Sequence, residues 1–571
     1  MKTALMLVIG VWALCTLLMF HQHSFVAVSR FSYQDHVRQK LPDPVHVEHI
    51  TALETNAAQA AAFVPFDGDA HRAYALILVG NYYGSSQLFL MRPAHGETPT
   101  LLRSLASVQT ECGHSWTAWS LGGRQWAAVA NYCTKDAHKG VVIYQLESLG
   151  ATHATSPDWG FKAAATLHAR GASHVLHFTL PANTHYVVGK GGAQAKTPPP
   201  VRSGAAHRGG AGFVATPDQD IGSLEHVMAV ADYTAGEILI FGLTEDHDKG
   251  GLTASLVQKL TLPGVSALTA CSTEVNGNPV HFLVGLAYFD PASGFNTRSA
   301  VYKYDHVKKQ FVVLQILSTQ GAHGGRCFPV RNSPPPDPHE DPHLLAAGTN
   351  GSAEAAVKEA LRRAAKASGK GPHLDQHNPT TLILAIANSR DGEDYAANST
   401  IWTYEPAADR FVMHQRVRTM GAHDVQHVFI PPPGKGRGGA GANRLVANRV
   451  AAAAAAHGHG APPNGMDVLI FANRGYNQTC SPDERSYVLV WHPEHQRFEL
   501  GASAALASCA TGLASGTLAG HQYLVATGDR DPAGAYAGAF THVWRLQAED
   551  VDKAAQEAYK AAGKGRAAEA N

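Results

Sequence analysis

One recurring pattern decides what this chain can fold into: a short aliphatic segment that closes on an aromatic or polar residue. It stands at Gln87-Leu88-Phe89-Leu90, Val142-Ile143-Tyr144-Gln145, Ile238-Leu239-Ile240-Phe241, Ala300-Val301-Tyr302-Lys303-Tyr304, Thr400-Ile401-Trp402-Thr403-Tyr404, Val488-Leu489-Val490-Trp491 and His542-Val543-Trp544. Ahead of most copies an apolar run ends in a small residue and Asn or Asp: Val79-Gly80-Asn81, Val129-Ala130-Asn131, Val230-Ala231-Asp232, Ile386-Ala387-Asn388, Phe471-Ala472-Asn473 and Thr527-Gly528-Asp529. The fullest unit runs from Phe411 to Trp491, through Gly421-Ala422-His423-Asp424, as four β-branched and aromatic segments broken by Gly, Asn, Asp and Pro. That is strand-turn-strand punctuation, not helical periodicity. Seven copies imply a repeat protein with seven blades, an all-β β-propeller that absorbs several hundred residues as one domain. The Asn or Asp is expected to bond its own backbone two residues on and open the turn out of the strand.

The rest of the chain arranges itself around these repeats. Residues 1–29 combine Met1-Lys2, an uncharged apolar run from Thr3 to Phe20 and a small-residue site at Ala27-Val28-Ser29, the pattern of a signal peptide; the run is also long enough to serve as an uncleaved type II signal anchor. Residues 30–44 form a polar linker, 45–547 the propeller, and 548–571 a charged, Ala-rich tail. Val45 to Ile50 alternates like an outer strand and is expected to complete the blade ending at Val543-Trp544, since an unpaired first or last blade leaves sheet edges open. Blade one is expected to be complete by Arg92, and Trp116, Trp119 and Trp126 are core candidates of blade two. Insertions at about 189–212, 333–371 and 431–463 read as disordered or helical loops. Leu344 to Gly348 and Leu382 to Ile386 both resemble the same repeat strand, so an eighth blade is the alternative to seven.

Lys plus Arg and Asp plus Glu both number 46, which removes the global basic field that a nucleic-acid partner requires. With Cys15 inside the leader, six cysteines remain: Cys112, Cys133, Cys271, Cys327, Cys480 and Cys509. An even number behind a secretory leader predicts disulfides. Cys112 with Cys133, Cys480 with Cys509, and Cys271 with Cys327 are the candidate pairs. Asn350, Asn398 and Asn477 head glycosylation strings, each in a predicted loop after an Asn-ended strand.

The order of segments resembles the EAR (epitempin, EPTP) repeat, carried here by Phe311 with Gln315 and Gly321-Ala322-His323, by Phe411 with Gln415 and Gly421-Ala422-His423, and by Gln258 and Gly264. The same repeat is found in the leucine-rich glioma-inactivated proteins and in a thrombospondin-type laminin G domain protein. The resemblance covers residues 45 to 547, is strongest from 252 onward, and implies an extracellular seven-bladed propeller that binds other proteins. The family pattern also places an Asp after Gly-Ala-x that points into the channel and coordinates calcium. Asp424 retains that carboxylate, while Ala58, Gly113, His174, Ala267 and Gly324 stand at the corresponding positions. Calcium is therefore the one cofactor the resemblance suggests, although the ion wants six to eight oxygens and more than one carboxylate.

Thirty-three His invite a catalytic or transition-metal reading. Gly-x-Ser-x-Gly, Walker and Cys-x-x-Cys strings are absent, however, and His323 and His423 are expected to satisfy hydrogen bonds in the channel. The leading expectation is a secreted or cell-surface glycoprotein that acts as a protein-interaction or adhesion module and is not an enzyme. A secreted propeller enzyme (hydrolase or lyase) with an unrecognised site and a structural matrix or coat glycoprotein are the alternatives.

Overall fold

A computed structural model describes residues 45–66, 73–93, 101–148, 158–180, 226–246, 251–331, 380–392, 394–431, 465–475, 486–493, 495–502, 509–530 and 537–548. The leader, the linker, the cores of the three insertions, the tail beyond Ala548 and Leu344 to Gly348 lie outside them. One compact unit comprises His46–Ala440 and Pro462–Ala548; of the other, only Val45 is described.

Seven antiparallel four-stranded sheets make a seven-bladed β-propeller. The innermost strands are Ala58–Phe66, Gly113–Leu121, Ala172–Thr179, Val265–Val275, Ala322–Arg331, Ala422–Ile430 and Ala510–Leu518. Each packs on the next, and the last packs on the first, so the ring closes. The Asn-ended runs are second strands, and the seven recurring aliphatic segments are third strands. The central residues of the second strands are apolar because each is covered from both sides: Met466–Asn473 is buried at every residue, and Val468 to Ala472 form its apolar run. Outer strands alternate, as in Arg410–Arg418, because one face meets solvent.

The core lies between blades. Leu78 and Leu88 of blade one meet Trp116 and Val129 of blade two, while Ile238 and Ile240 of blade three meet Leu268 and Tyr302 of blade four. Trp116, Trp119 and Trp126 are all buried, at 6%, 6% and 0% exposure. Blade one extends past Arg92, because its own fourth strand is Leu101–Gln109; Val45–Asn56 instead supplies the outer strand of blade seven, beside Ala537–Ala548. That closure is fixed by Thr55 Oγ1 donating to the Ala539 carbonyl at 3.1 Å and by an Arg545–Glu48 ion pair.

The Phe-x-x-x-Gln spacing has a direct structural cause. Gln258 Nε2 donates to the Phe311 carbonyl at 2.8 Å, and its Oε1 accepts from the Phe311 N–H at 2.9 Å. Gln315 clamps Phe411 in the same way, at 2.9 and 2.8 Å, and Gln415 clamps Phe498, at 2.7 and 3.0 Å. Each Gln sits beside a β-bulge in its outer strand, so its amide is turned toward the next blade. Three clamps thus join the outer strands of blades three to six.

The Asn or Asp closing each second strand works differently from the expectation. Asn81 Oδ1 accepts from the Asn56 N–H and Asn131 Oδ1 from the Glu111 N–H, both at 3.2 Å, so these side chains hold the chain segment arriving from the previous blade. Asn388 and Asn473 repeat the contact with Gln320 and Met420. Asp232 also reaches its own turn, accepting from Ala235 N–H at 3.1 Å as well as from Arg170 and Gly171. The same amides also donate across their own turns, Asn81 Nδ2 to the Ser85 carbonyl at 2.7 Å, Asn131 Nδ2 to the Lys139 carbonyl at 2.9 Å and Asn388 Nδ2 to the Asn398 carbonyl at 2.7 Å, so each side chain ties the arriving segment to the turn that follows its strand.

Two disulfides join pairs of described residues. Cys112–Cys133 joins the entry to the inner strand of blade two with the turn after its second strand, and Cys271–Cys327 staples the inner strands of blades four and five, with Cα separations of 5.3 and 5.4 Å. Cys480 lies outside the described residues; Cys509 is buried and disulfide-bonded.

Two outcomes test this account. Gln315→Leu leaves the Phe411 N–H and carbonyl without partners and is expected to cost about 2 kcal/mol in chemical denaturation. Replacing Cys271 and Cys327 together by Ser releases a 56-residue separation and is expected to cost about 4 kcal/mol, measured the same way.

Candidate functional site

Every inner strand carries a β-bulge at the same point. The register skips Gln59, His114, Ser173, Ser266, His323, His423 and Thr511 in blades one to seven. A bulged residue loses its partner on the ladder and its side chain is re-aimed; here six of the seven line a cavity of 370 Å³ at one mouth of the channel. The residue before the strand is left-handed in six blades: Ala57, Cys112, Gly264, Gly321, Gly421 and Cys509 have φ between +50° and +71°. That conformation explains the Gly of Gly-Ala-His, since Gly adopts it without steric cost.

The bulged side chains bind blade to blade. His114 Nδ1 donates to the Ser173 carbonyl at 2.8 Å, Ser266 Oγ to the Ala322 carbonyl at 3.0 Å, and Thr511 Oγ1 to the Ala58 carbonyl at 2.7 Å. His323 stacks on His423 with ring centroids 3.4 Å apart. Gly324 permits that approach, because a Cβ there would stand 2.7 Å from the Asp424 Cα. The hydroxyls are thereby committed to backbone carbonyls rather than poised against an imidazole, and no serine–histidine pair of the nucleophilic kind forms among the described channel residues.

A second ring comes from the residue that follows each second strand. In blades one to four it is Tyr82, Tyr132, Tyr233 and Tyr288; in blades five to seven it is Ser389, Arg474 and Asp529. All four tyrosines, Arg474 and Asp529 line the cavity. Burial raises the hydroxyls of Tyr132 and Tyr233 above the usual phenol range, and each is raised further by neighbouring tyrosines of the ring. Arg474 Nη2 pairs with Asp529 Oδ2, and both Arg474 Nε and Asp529 Oδ1 are buried without a hydrogen-bond partner. Asp529 is one residue beyond the Asx position expected of it: Gly528 pairs with Ala510, where Asn473 pairs with Ala422.

Below the mouth, Asp424 accepts from its own neighbour's N–H, Val425, and from Leu513 of blade seven, both at 2.8 Å. Both carboxylate oxygens are occupied. The true equivalents of Asp424 are Ala60, Ser115, His174, Ala267, Gly324 and Gly512, so Ala58 and Gly113 are two residues early. The error arises because the bulge and the left-handed residue are not marked by Gly in blades one and two. Among the described residues no second carboxylate lines this part of the channel, and the nearby charge is Arg326. A calcium set of several oxygens is not assembled there. Burial pushes the Asp424 carboxyl up to about 6, with the backbone N–H groups and Arg326 opposing it.

The remaining expected residues scatter. Asn398 opens a third strand and is exposed, while Ser399 of its string is buried and donates or accepts with Thr419 at 2.8 Å. Asn350 and Asn477 lie outside the described residues, as does His339-Glu340-Asp341-Pro342-His343. That string spells His-Glu-x-x-His, but its Pro342 opposes the helix the zinc motif needs. The tyrosine ring escaped sequence reasoning although its signal was present: Tyr directly follows Asn81, Asn131 and Asp232.

No family model and no curated protein matches the chain. Among solved structures it is similar to the periplasmic gluconolactonase of Pseudomonas aeruginosa (12% identity over 78% of this chain and 86% of that one, TM-score 0.36). It is also similar to U3-55K (9%, 88% and 98%, TM-score 0.40), and to Chaetomium thermophilum Sqt1 bound to the N-terminus of ribosomal protein L10 (10%, 88% and 100%, TM-score 0.38). At these identities and TM-scores none bears on function.

The channel histidines set a pH dependence. Burial, the largest cause in each case, holds His114, His323 and His423 below the usual imidazole range and brings His174 down to about 3. The unfolded chain takes up these protons near pH ~6.5 and the folded one does not. Stability is therefore complete above that pH and falls as pH drops through it, by at most about 1.4 kcal/mol per pH unit for each imidazole. Asp424 acts in the opposite sense between about pH 4 and 6, as one group against four. Tm is expected to fall between pH 7.5 and 5, and His323→Gln to make the fall shallower in a pH series of thermal melts.

Proposed function

We propose that this chain is an extracellular EAR-type propeller that holds a protein partner over the tyrosine-lined mouth of its channel. The observation that carries this reading is the ring of Tyr82, Tyr132, Tyr233 and Tyr288 around a 370 Å³ cavity that also presents Arg474 and Asp529. Tyrosine and arginine dominate the energetics of protein interfaces because they bury a large rigid area and still offer a polar tip. A recess of this size accepts one or two anchoring side chains, while the surrounding turns supply the rest of the contact. The commitment of the Ser and Thr hydroxyls to interblade bonds favours binding over turnover.

Support for the extracellular placement comes from the apolar leader of residues 1–29, the three Asn-x-Ser/Thr strings and two disulfides, which fit an oxidising compartment. Among the described residues no helix is long and apolar enough to cross a membrane. The Phe-x-x-x-Gln clamps support the EAR reading, because they give that spacing a task in joining blades.

The test is affinity capture of surface proteins with the full chain, followed by titration of the captured partner. The double variant Tyr132→Ala with Tyr288→Ala is expected to weaken binding about 30-fold, or about 2 kcal/mol. Val307→Ala, at a rim residue 93% exposed, serves as the neutral control. Equal affinity in the tyrosine variant would remove the mouth from the interface.

A further inference from the structure

Away from the channel, on the turn between the third and outer strands of blade six, one cluster brings together His492, His495 and Glu499, whose ligand atoms all lie within 4.8 Å of one another. We propose that this turn binds one divalent transition-metal ion of the zinc class, using one nitrogen from each imidazole and one Glu499 oxygen.

The repeat itself provides the comparison. His492 pairs with Arg497 as Asp305 pairs with Gln310 in blade four and Glu405 with Arg410 in blade five. The same turn is marked in all three blades by a left-handed residue, Lys309, Asp409 and Gln496. Aligned this way, His492 replaces Asp305 and Glu405, His495 replaces Lys308 and Ala408, and Glu499 replaces Val312 and Val412. In blade four those positions serve the turn alone, Asp305 accepting the Val307 and Lys308 N–H groups at 2.9 and 3.0 Å and pairing with the Lys308 ammonium. Blade six departs at all three positions: an imidazole takes the place of a carboxylate at the first, the other two gain a metal-ligand group that blades four and five lack, and the three converge in space.

The geometry is close to what an ion requires. His495 Nδ1 stands 3.3 Å from Glu499 Oε1, near the separation of about 3.4 Å between two ligand atoms placed ~2.1 Å from a tetrahedral zinc. The two imidazoles lie 6.0 Å apart, 26° from parallel, on one side of the turn. The backbone beneath them is fixed: His495 N–H donates to the His492 carbonyl at 3.2 Å, His414 of blade five donates to the Gln496 carbonyl, and Gln415 clamps Phe498. Arg497 Nε donates to the same Glu499 Oε1 at 3.1 Å, an outer contact that orients the carboxylate. The His495 side chain is 58% exposed, so an entry path and a position for water are open. Two imidazoles and one carboxylate suit zinc, nickel or copper, whereas calcium and magnesium favour all-oxygen sets.

The experiment is titration of the full-length protein with Zn2+ by calorimetry, and with Co2+ by absorption. Because other histidines bind metal weakly, the reading is the number of tight equivalents. The wild type is expected to show one that is lost in His495→Ala and in Glu499→Gln. It should also be lost in the double variant His492→Asp with His495→Lys, which installs the blade-four turn and so preserves the fold. His138→Ala, at an exposed histidine elsewhere, should keep it. An unchanged tight equivalent in all three cluster variants overturns the proposal, as does an equal loss in His138→Ala.

Discussion

The bulge at the second residue of each inner strand is the constraint on which the rest of the molecule depends. A propeller must turn the chain sharply from the rim of one blade to the axis of the next, and here a left-handed residue followed by the bulge performs that turn in nearly every repeat. The residue extruded from the ladder loses its place in the blade face, and in six of the seven blades it lines the channel mouth. It reaches the neighbouring backbone with a hydroxyl or imidazole, which is why Thr511 and Ala58, joined at 2.7 Å, fasten the last blade to the first. Ring closure and site construction are therefore the same structural act.

What was legible in the sequence follows from what each residue contacts. The third strands were readable seven times over, because packing between two blades demands aliphatic or aromatic side chains on both faces. Cys112 and Cys133 were readable because their positions are tied to a strand and its turn, and Cys271 and Cys327 because they stand near the same point of successive inner strands. The partner of each Asx side chain was not, since Asn131 bonds a backbone N–H twenty residues earlier that the spacing does not reveal. The bulge offset was hidden for a related reason. Where the left-handed position holds Ala57 or Cys112 instead of Gly, nothing in the string marks where the inner strand begins, and the equivalents of Asp424 were placed two residues early in blades one and two.

Polarity in the channel is handled without charge wherever possible. Burial keeps the stacked His323 and His423 imidazoles neutral, and a protonated pair at 3.4 Å would repel strongly in so enclosed a place. Asp424 survives as a carboxylate only through two backbone N–H groups and the nearby Arg326, and its raised affinity for protons measures how little the site offers an anion. A motif that resembles a cation site in sequence thus acts here as a joint between blades six and seven, through Leu513 N–H.

The mouth, by contrast, is not seven-fold at all. The position after the second strand is tyrosine in four consecutive blades and serine, arginine and aspartate in the other three, so one side of the rim is aromatic and the other carries an ion pair with two unsatisfied buried atoms. A ring of identical side chains would accept a partner in several rotations of similar energy. For the partner proposed above, a ring divided in this way would favour one orientation, because an apolar anchor would lose its tyrosine contacts and a polar anchor its hydrogen bonds when turned to the opposite side. Sequence divergence among otherwise equivalent repeats is thus what converts a symmetric scaffold into an oriented surface.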